Sequence, residues 1–453
     1  MNLRRLTAAL FILSLAVSLR ASHADTPGKL FGQTLEEFAS RRAKVRSQLK
    51  GGILILRGEP DPGDIERVRF RTDNNILYLT GVEAPGTFLA ILPEGDPSGK
   101  REILFLPPVD PGMTVWSDAL PGPGAETEKL TGIDSVKSIG SMWEILGPSI
   151  QKAEAVYLTA SGNQAQFTPA GYLEQKIQSI NPKVKVEGFA SRLINPLRWK
   201  KSAGEIDNLR AAIAATGSAE QAAARAIVAG ANEVTVEGVI IAAFRRGGAV
   251  HEGFPCIVGS GPNSCVLHHF AGSRKMSAGE MVVVDIGAEY NYYSADVTRT
   301  FPCGGKFTAR QRALYELVLE TQKACEQFVR PGKTTLWELD AYARKRLRES
   351  PLRAKDANGV EKTMDNFMPH GLGHSLGMDV HDVMSGSITL EPGVVFTIEP
   401  GIYVRSENIG IRIEDDYLVT TTGVDKLSKN IPSEPAQVEA MMRAPVSTSS
   451  VSK

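Results

Sequence analysis

Gly279-Glu280-Met281-Val282-Val283-Val284-Asp285-Ile286-Gly287 and Gly393-Val394-Val395-Phe396-Thr397-Ile398-Glu399-Pro400-Gly401 carry one pattern twice, with both glycines and the acid displaced by 114 residues from their counterparts. In each copy a glycine precedes an apolar run, and an acid ends the run just before a second glycine. A short apolar run bounded by turn residues reads as a buried strand. Each strand is followed by a turn and a second acid-bearing strand: Tyr290-Asn291 then Asp296, and Ser406-Glu407 then Glu414. With those dipeptides at the centres of symmetric hairpins, Asp285 faces Asp296 and Glu399 faces Glu414, with Cβ atoms roughly 5 Å apart on one face. A register slip of one residue would send one acid of a pair to the other face.

Four converging carboxylates need compensation. Two unpaired negative charges about 4 Å apart, at an effective dielectric of about 20, repel by roughly 4 kcal/mol, so an uncompensated cluster would be protonated or unfolded. Two divalent cations balance four carboxylates. The competing reading is four separate, solvated strand-end acids. Histidine placement argues against it: apart from His23, all six remaining histidines lie between His251 and His381, in the same half as the acids. Such placement suits metal or proton-transfer chemistry. His370-Gly371-Leu372-Gly373-His374 has the spacing of a helical zinc motif, but it lacks the Glu after the first His and contains two glycines. A loop or strand is expected there, presenting His370, His374 and His381 separately around a pocket.

The rest of the chain bounds the reading. With 453 residues, 51 basic and 51 acidic, it has the balance of an ordinary globular protein, and nothing in its net charge calls for a nucleic-acid partner. Residues 1–24 read as a secretory signal, with Arg4 and Arg5 before the apolar stretch Leu6 to Leu19 and small residues at Ser22 and Ala24. The expected product is exported, periplasmic or secreted, without a membrane span; an uncleaved anchor is the alternative. Of the four cysteines, Cys256 and Cys265 bracket a turn-rich segment and allow a local disulfide. Residues 25–195 alternate helices such as Thr34 to Leu49 with apolar strands at Ile53 to Leu56, Phe88 to Leu92, Ile103 to Leu106 and Val156 to Leu158, the rhythm of an α/β domain. Leu193 to Lys201 reads as a linker. Residues 196–442 form a second domain, whose helices open with capping boxes at Ser202/Glu205 and Thr308/Gln311. Residues 443–453, rich in Ser and Thr, read as a disordered tail. The fold class is α/β in the broad sense that includes α+β.

Beyond these readings, the sequence resembles a known family. His374 with Gly377-Met378-Asp379-Val380-His381-Asp382, Thr397-Ile398-Glu399-Pro400-Gly401 and Ile411-Arg412-Ile413-Glu414-Asp415-Asp416 are similar to the signatures of the pita-bread dinuclear metallopeptidases, in their proline-specific branch of aminopeptidase P and Xaa-Pro dipeptidase. Asp285-Ile286-Gly287 and Asp296-Val297-Thr298-Arg299-Thr300-Phe301 match as well. Phe70-Arg71-Thr72-Asp73 and Tyr78-Leu79-Thr80-Gly81 resemble the creatinase-like N-terminal domain of those enzymes. The resemblance implies a pita-bread catalytic domain with a pseudo-twofold internal repeat. It also implies two metal ions: Asp285 on one, Asp296 and Glu414 on both, His374 and Glu399 on the other. One imidazole among oxygen donors favours Mn2+, with Zn2+ or Co2+ able to occupy such a site. A bridging water between two cations would supply hydroxide at neutral pH.

The resemblance further implies Glu399 as general base and acid, His268 and His381 as catalytic histidines at the scissile bond, and His370 with Arg412 at the substrate pocket. Substrates would be peptides with proline at the second position, whose tertiary amide lacks an N–H and calls for a dedicated apolar pocket. A homo-oligomer, dimer or tetramer, is expected on the same basis. Two departures stand out. His269 sits where many relatives have an aromatic or other residue, so spacing alone assigns the role to His268. The short gap from Glu399 to Glu414 leaves aminopeptidase and dipeptidase activity both open, and a non-catalytic peptide-binding protein on the same fold is the reading from a different class.

Overall fold

The computed structural model describes residues 28–61, 69–109, 112, 120–159, 169–384 and 388–443. The expected signal and all of the expected tail beyond Arg443 lie outside these residues. The described residues fall into two compact units, 38–188 and 28–37 with 189–443.

The first unit is a six-stranded mixed sheet. Its strands are β1 (Ile53–Arg57), β2 (Phe88–Ile91), β3 (Glu102–Leu106), β4 (Val136–Ser138), β5 (Ala155–Tyr157) and β6 (Lys185–Glu187), in the order β4-β3-β2-β1-β5-β6. The four apolar stretches expected as strands are its centre; the two short polar edge strands carry no such signal. Ile53, Ile55, Ile103 and Phe105 from the sheet and Leu146, Ile150, Leu173 and Ile177 from two helices make its core. The Asp73 carboxylate caps helix Asn74–Thr80 by accepting from the Asn75 and Ile76 N–H groups, and Gly81 ends that helix at φ 65°.

In the second unit, helix α1 (Ser191–Trp199) occupies most of the expected linker Leu193 to Lys201. Its Pro196 argues for a connector, yet Ile194 and Trp199 are buried, and that burial outweighs the missing N–H. Then follow α2 (Ala203–Ala226) and α3 (Glu233–Arg246), and, after the first set of strands, α4 (Ala309–Phe328) and α5 (Leu336–Glu349). Both expected capping boxes are formed, and a third, Thr335 with Glu338, opens α5. Each half therefore supplies a long helix, a shorter helix and an acid-bearing hairpin. One core joins the halves, uniting Ala219, Ala223, Val282, Val284, Leu314, Val318, Ile398 and Ile411.

The first hairpin pairs β7 (Met281–Ile286) with β8 (Val297–Pro302). Asp285 faces Thr298 rather than Asp296. The two-residue turn is Asn291-Tyr292, at φ 49° and 70°, and not Tyr290-Asn291. A left-handed Tyr is costly in sequence terms, but Tyr292 is buried with its ring edge-on to Phe31 at 5.6 Å. Because pairing shifts by two residues, Asp296 stays on the face expected for it. The second hairpin has the expected register. β9 (Val395–Ile398) pairs with β12 (Asp415–Val419), and β10 (Gly401–Val404) with β11 (Ile409–Arg412). Glu399 and Glu414 sit opposite each other in the step between these ladders, where Pro400 has no N–H to continue the pairing. The hairpins of the two halves meet where the Glu414 N–H donates to the Thr298 carbonyl at 3.1 Å.

All four cysteines are buried free thiols, so the local Cys256–Cys265 bridge that the spacing allows is not formed. Burial pushes the Cys256 thiol up to about 12.

Candidate metal centre

Asp285 is the penultimate residue of β7, and Asp296 immediately precedes β8. His374 is on an extended segment beside β9: its carbonyl accepts from the Thr397 N–H at 2.9 Å, its own N–H donates to Thr397 Oγ1 at 3.2 Å, and Ser375 bridges Phe396. This is the non-helical presentation expected from the two glycines. A Cβ on Gly373 would run into the Thr397 carbonyl, so a glycine there lets the segment approach the strand.

One ligand atom each from Asp296, His374 and Glu414 lies within 4.8 Å of the others. His374 Nε2 is 3.4 Å from Asp296 Oδ2, 3.5 Å from Glu399 Oε1 and 3.9 Å from Glu414 Oε1. The other ring nitrogen, Nδ1, donates to the Ser375 carbonyl at 3.1 Å, which turns Nε2 toward the acids. Asp285 is held by Arg412, whose Nη2 donates to Oδ2 at 2.5 Å. Thr298 Oγ1 donates to Glu414 Oε2 at 2.7 Å and accepts from Arg412 Nε at 3.1 Å.

The electrostatics ask for positive charge. Burial, and then neighbouring carboxylates, raise Asp296 and Glu399 well above the usual carboxylate range and Glu414 to about 7. Asp285 Oδ1, Asp296 Oδ1 and Glu414 Oε1 are buried without a hydrogen-bond partner among the described residues. Orphaned carboxylate oxygens converging on an imidazole nitrogen are a donor set for divalent cations. The residues present therefore fit the metal ions that the sequence resemblance implies.

A cavity of about 510 Å³ opens over this cluster. Phe254, Pro255, Ile257, Leu267, Phe270 and Val380 form its apolar wall, and His268, His370, His381 and Arg412 also line it. All nine residues expected at the site thus border one space. His268 is exposed on the wall, while its neighbour His269 turns away to Glu233. The His381 ring lies 4.1 Å from that of His374, centroid to centroid, and burial and that neighbour lower it. His370, lowered to about 4 by burial and Arg412, has Nε2 3.0 Å from Tyr403 Oη. Arg412 is buried with its guanidinium already engaged by Asp285, Thr298 and Tyr403. Tyr403 carries no spacing signal, and Thr298, though inside the Asp296-Val297-Thr298-Arg299-Thr300-Phe301 run, is not singled out by sequence reading. That reading also passes over Asp416, raised by burial beside Glu414, although this residue stands inside the quoted Glu414-Asp415-Asp416 run.

The Xaa-Pro aminopeptidase of Escherichia coli K12 is 31% identical to the chain over 442 residues, covering 90% of this chain and 98% of the relative. The chain belongs to the aminopeptidase P family. Within that family, Metallopeptidase family M24 matches residues 207–421 and the Aminopeptidase P, N-terminal domain matches residues 38–157. Human Xaa-Pro aminopeptidase 3 is 32% identical, covering 92% of this chain and 88% of the relative. The solved structure of a putative aminopeptidase P from Bacillus anthracis superposes with a TM-score of 0.81 at 29% identity, covering 90% of this chain and 98% of that one. The aminopeptidase P architecture, an N-terminal domain followed by a pita-bread domain, is thereby the fold of this chain, and its M24 domain is that of a metallopeptidase using divalent metal ions.

Proposed function

We propose that the protein is an Xaa-Pro aminopeptidase, hydrolysing the bond between an N-terminal residue and a following proline. The observation that carries this reading is the convergence of Asp296, His374 and Glu414 within 4.8 Å beneath a half-apolar cavity, in a chain whose relatives bear that activity in their names. Asp285, Asp296, His374, Glu399 and Glu414 would hold the ions, with Mn2+ as the working metal. When bound, such ions supply a water acidic enough to ionise near neutral pH and polarise the scissile carbonyl. The chain's own residues do the rest. Glu399, whose carboxyl readily holds a proton in this buried setting, takes the proton from the attacking water and delivers it to the departing proline nitrogen. His268 and His381, on the cavity wall, donate hydrogen bonds to the carbonyl oxygen as charge develops and to the proline side of the substrate. Arg412 holds Asp285 in place through the hydrogen bond from its Nη2 to Oδ2. The wall formed by Phe254, Leu267 and Phe270 accepts apolar substrate surface and excludes water from the reacting bond.

The basic start and apolar stretch of residues 1–24 support export to the periplasm or beyond, and no helix among the described residues is long and apolar enough to cross a membrane. We further propose a homo-oligomer on the family resemblance.

The deciding experiment offers Mn2+-loaded protein a tripeptide Xaa-Pro-Xaa and a dipeptide Xaa-Pro. Release of the N-terminal residue from the tripeptide is expected. Hydrolysis of the dipeptide alone would replace this reading with an Xaa-Pro dipeptidase.

A further inference from the structure

His268 stands on the cavity wall without a hydrogen bond of its own among the described residues. Its place is therefore set by its main chain. That main chain is irregular: residues 261–275 contain one short 3-10 turn, Gly261–Cys265, and are tied to neighbouring elements by single bridges, Ile257 to Phe270 and Asn232 to Lys275. No ladder holds the loop; separate bonds do, among them the Val234 N–H to the Gly272 carbonyl at 3.1 Å, the Glu233 N–H to the Arg274 carbonyl at 3.3 Å and the Gly410 N–H to Ser264 Oγ at 2.8 Å. One carboxylate adds five more. Glu233, the first residue of α3, is fully buried, and both its oxygens accept from this loop and the strand end that feeds it. Oε1 accepts from the Ser260 N–H at 2.9 Å, Ser260 Oγ at 2.7 Å and Asn263 Nδ2 at 3.0 Å. Oε2 accepts from the Gly272 N–H at 3.2 Å and from His269 Nε2 at 2.8 Å. Burial alone would raise this carboxyl, but the donors from Ser260, His269 and Asn263 hold it below its ordinary range, so it is an acceptor throughout. An ionised carboxylate only accepts, which assigns the His269 proton to Nε2.

We propose that Glu233 and His269 are positioning residues that mount His268 over the cavity. The grip on His269 fixes the residue next to His268, and the grips on Ser260, Asn263 and Gly272 fix the loop on either side. The histidine at position 269, a departure from many relatives, thereby has its own task, performed from outside the cavity. The kinetic part of this inference rests on the proposed aminopeptidase reading; the positional part does not.

The test uses the full-length, metal-loaded protein and three substitutions. His269→Phe removes the donor, His269→Gln keeps an N–H of similar reach, and Glu233→Gln keeps the volume while turning one accepting oxygen into a donor. His269→Phe is expected to lower kcat on Xaa-Pro-Xaa by about 10- to 100-fold, the cost of a displaced group near the reacting bond, with bound metal unchanged. His269→Gln is expected to recover most of that loss. The second readout, taken on protein loaded with diamagnetic Zn2+ because Mn2+ would broaden it, is the imidazole NMR signal of His268, assigned by its disappearance in His268→Ala. It should keep its wild-type position in His269→Gln and shift or broaden in His269→Phe and in Glu233→Gln. An unmoved His268 signal in His269→Phe, or a His269→Gln variant as impaired as His269→Phe, overturns the mount. If His269→Phe does not fold, Glu233→Gln carries both readouts. Failure of the wild-type protein to cleave any Xaa-Pro peptide would instead remove the functional reading, and the NMR signal would still decide the mount.

Discussion

Glu399 combines two demands that pull in opposite directions. In the proposed reaction it must be ionised as a metal ligand, and as a proton carrier it must take up a proton midway. Its setting serves both, because burial and the neighbouring Glu414 push its carboxyl up while His374 and Arg412 pull it back. Replacing it with Gln keeps the shape and one oxygen but removes the proton acceptor. Glu399→Gln is expected to retain peptide binding, measured by titration of an uncleaved peptide, while hydrolysis falls by about 10²- to 10⁴-fold. Wild-type turnover in that variant would remove the proton-shuttle role. At this scale the sequence is informative where chemistry is concentrated in rare residue types. Of the six histidines and four strand-end acids in one half of the chain, four histidines and all four acids line the cavity. The braces behind them are silent: Thr298 and Tyr403 are common residue types whose importance comes only from the atoms that fold against them.

Among the elements, the extended segment carrying His374 depends on how closely it can lie against β9. A methyl group at Gly373 would meet the Thr397 carbonyl, a backbone atom that cannot rotate away. Gly373→Ala is expected to cost about 1–3 kcal/mol of stability, the range for forcing a group into a filled space. It should also weaken metal binding, because His374 is the next residue; denaturant unfolding and a metal titration would measure the two effects. Unaltered metal affinity alongside reduced stability would separate the glycine's packing role from the site. The two hairpins mark the limit of what is legible at this scale. Ser406-Glu407 falls at the centre of its hairpin, because the strands on either side are of even length about it. Tyr290-Asn291 does not, because the turn lies one residue on, at Asn291-Tyr292, and nothing local marks Tyr as a left-handed turn residue. Burial of Tyr292 against Phe31, from the far end of the described chain, supplies what local propensity lacks.

For the whole molecule, the acid cluster couples stability to pH and to metal. In the folded, metal-free protein Glu414 keeps its proton up to about 7, whereas unfolded it would lose it near the ordinary value of 4.5. The folded state thus binds more protons across that window, and stability falls as pH rises through it. Asp296 and Glu399, raised for the same reasons, extend the loss to higher pH. Bound cations take the place of those protons. The gap in Tm between metal-loaded and chelated protein is therefore expected to widen from about pH 5 to about pH 8. A gap of equal size at both values would contradict the shared electrostatic origin of the site. The broad architecture is legible because two apolar strands with matching acids announce a repeat, and the α/β rhythm announces the first unit. The boundary near Leu193 to Lys201 is not, since a proline-bearing helix and a linker look alike until burial distinguishes them. The division of ligands has one further effect. Of the five proposed ligands, Asp285 and Asp296 come from one half and His374, Glu399 and Glu414 from the other, so neither half alone would own a complete cage. Ion capture then rewards only the finished arrangement, and a nascent polypeptide that has not yet emerged past Glu414 has nothing to gain from the cation. Occupancy by metal would then vouch for a polypeptide made and folded through Glu414.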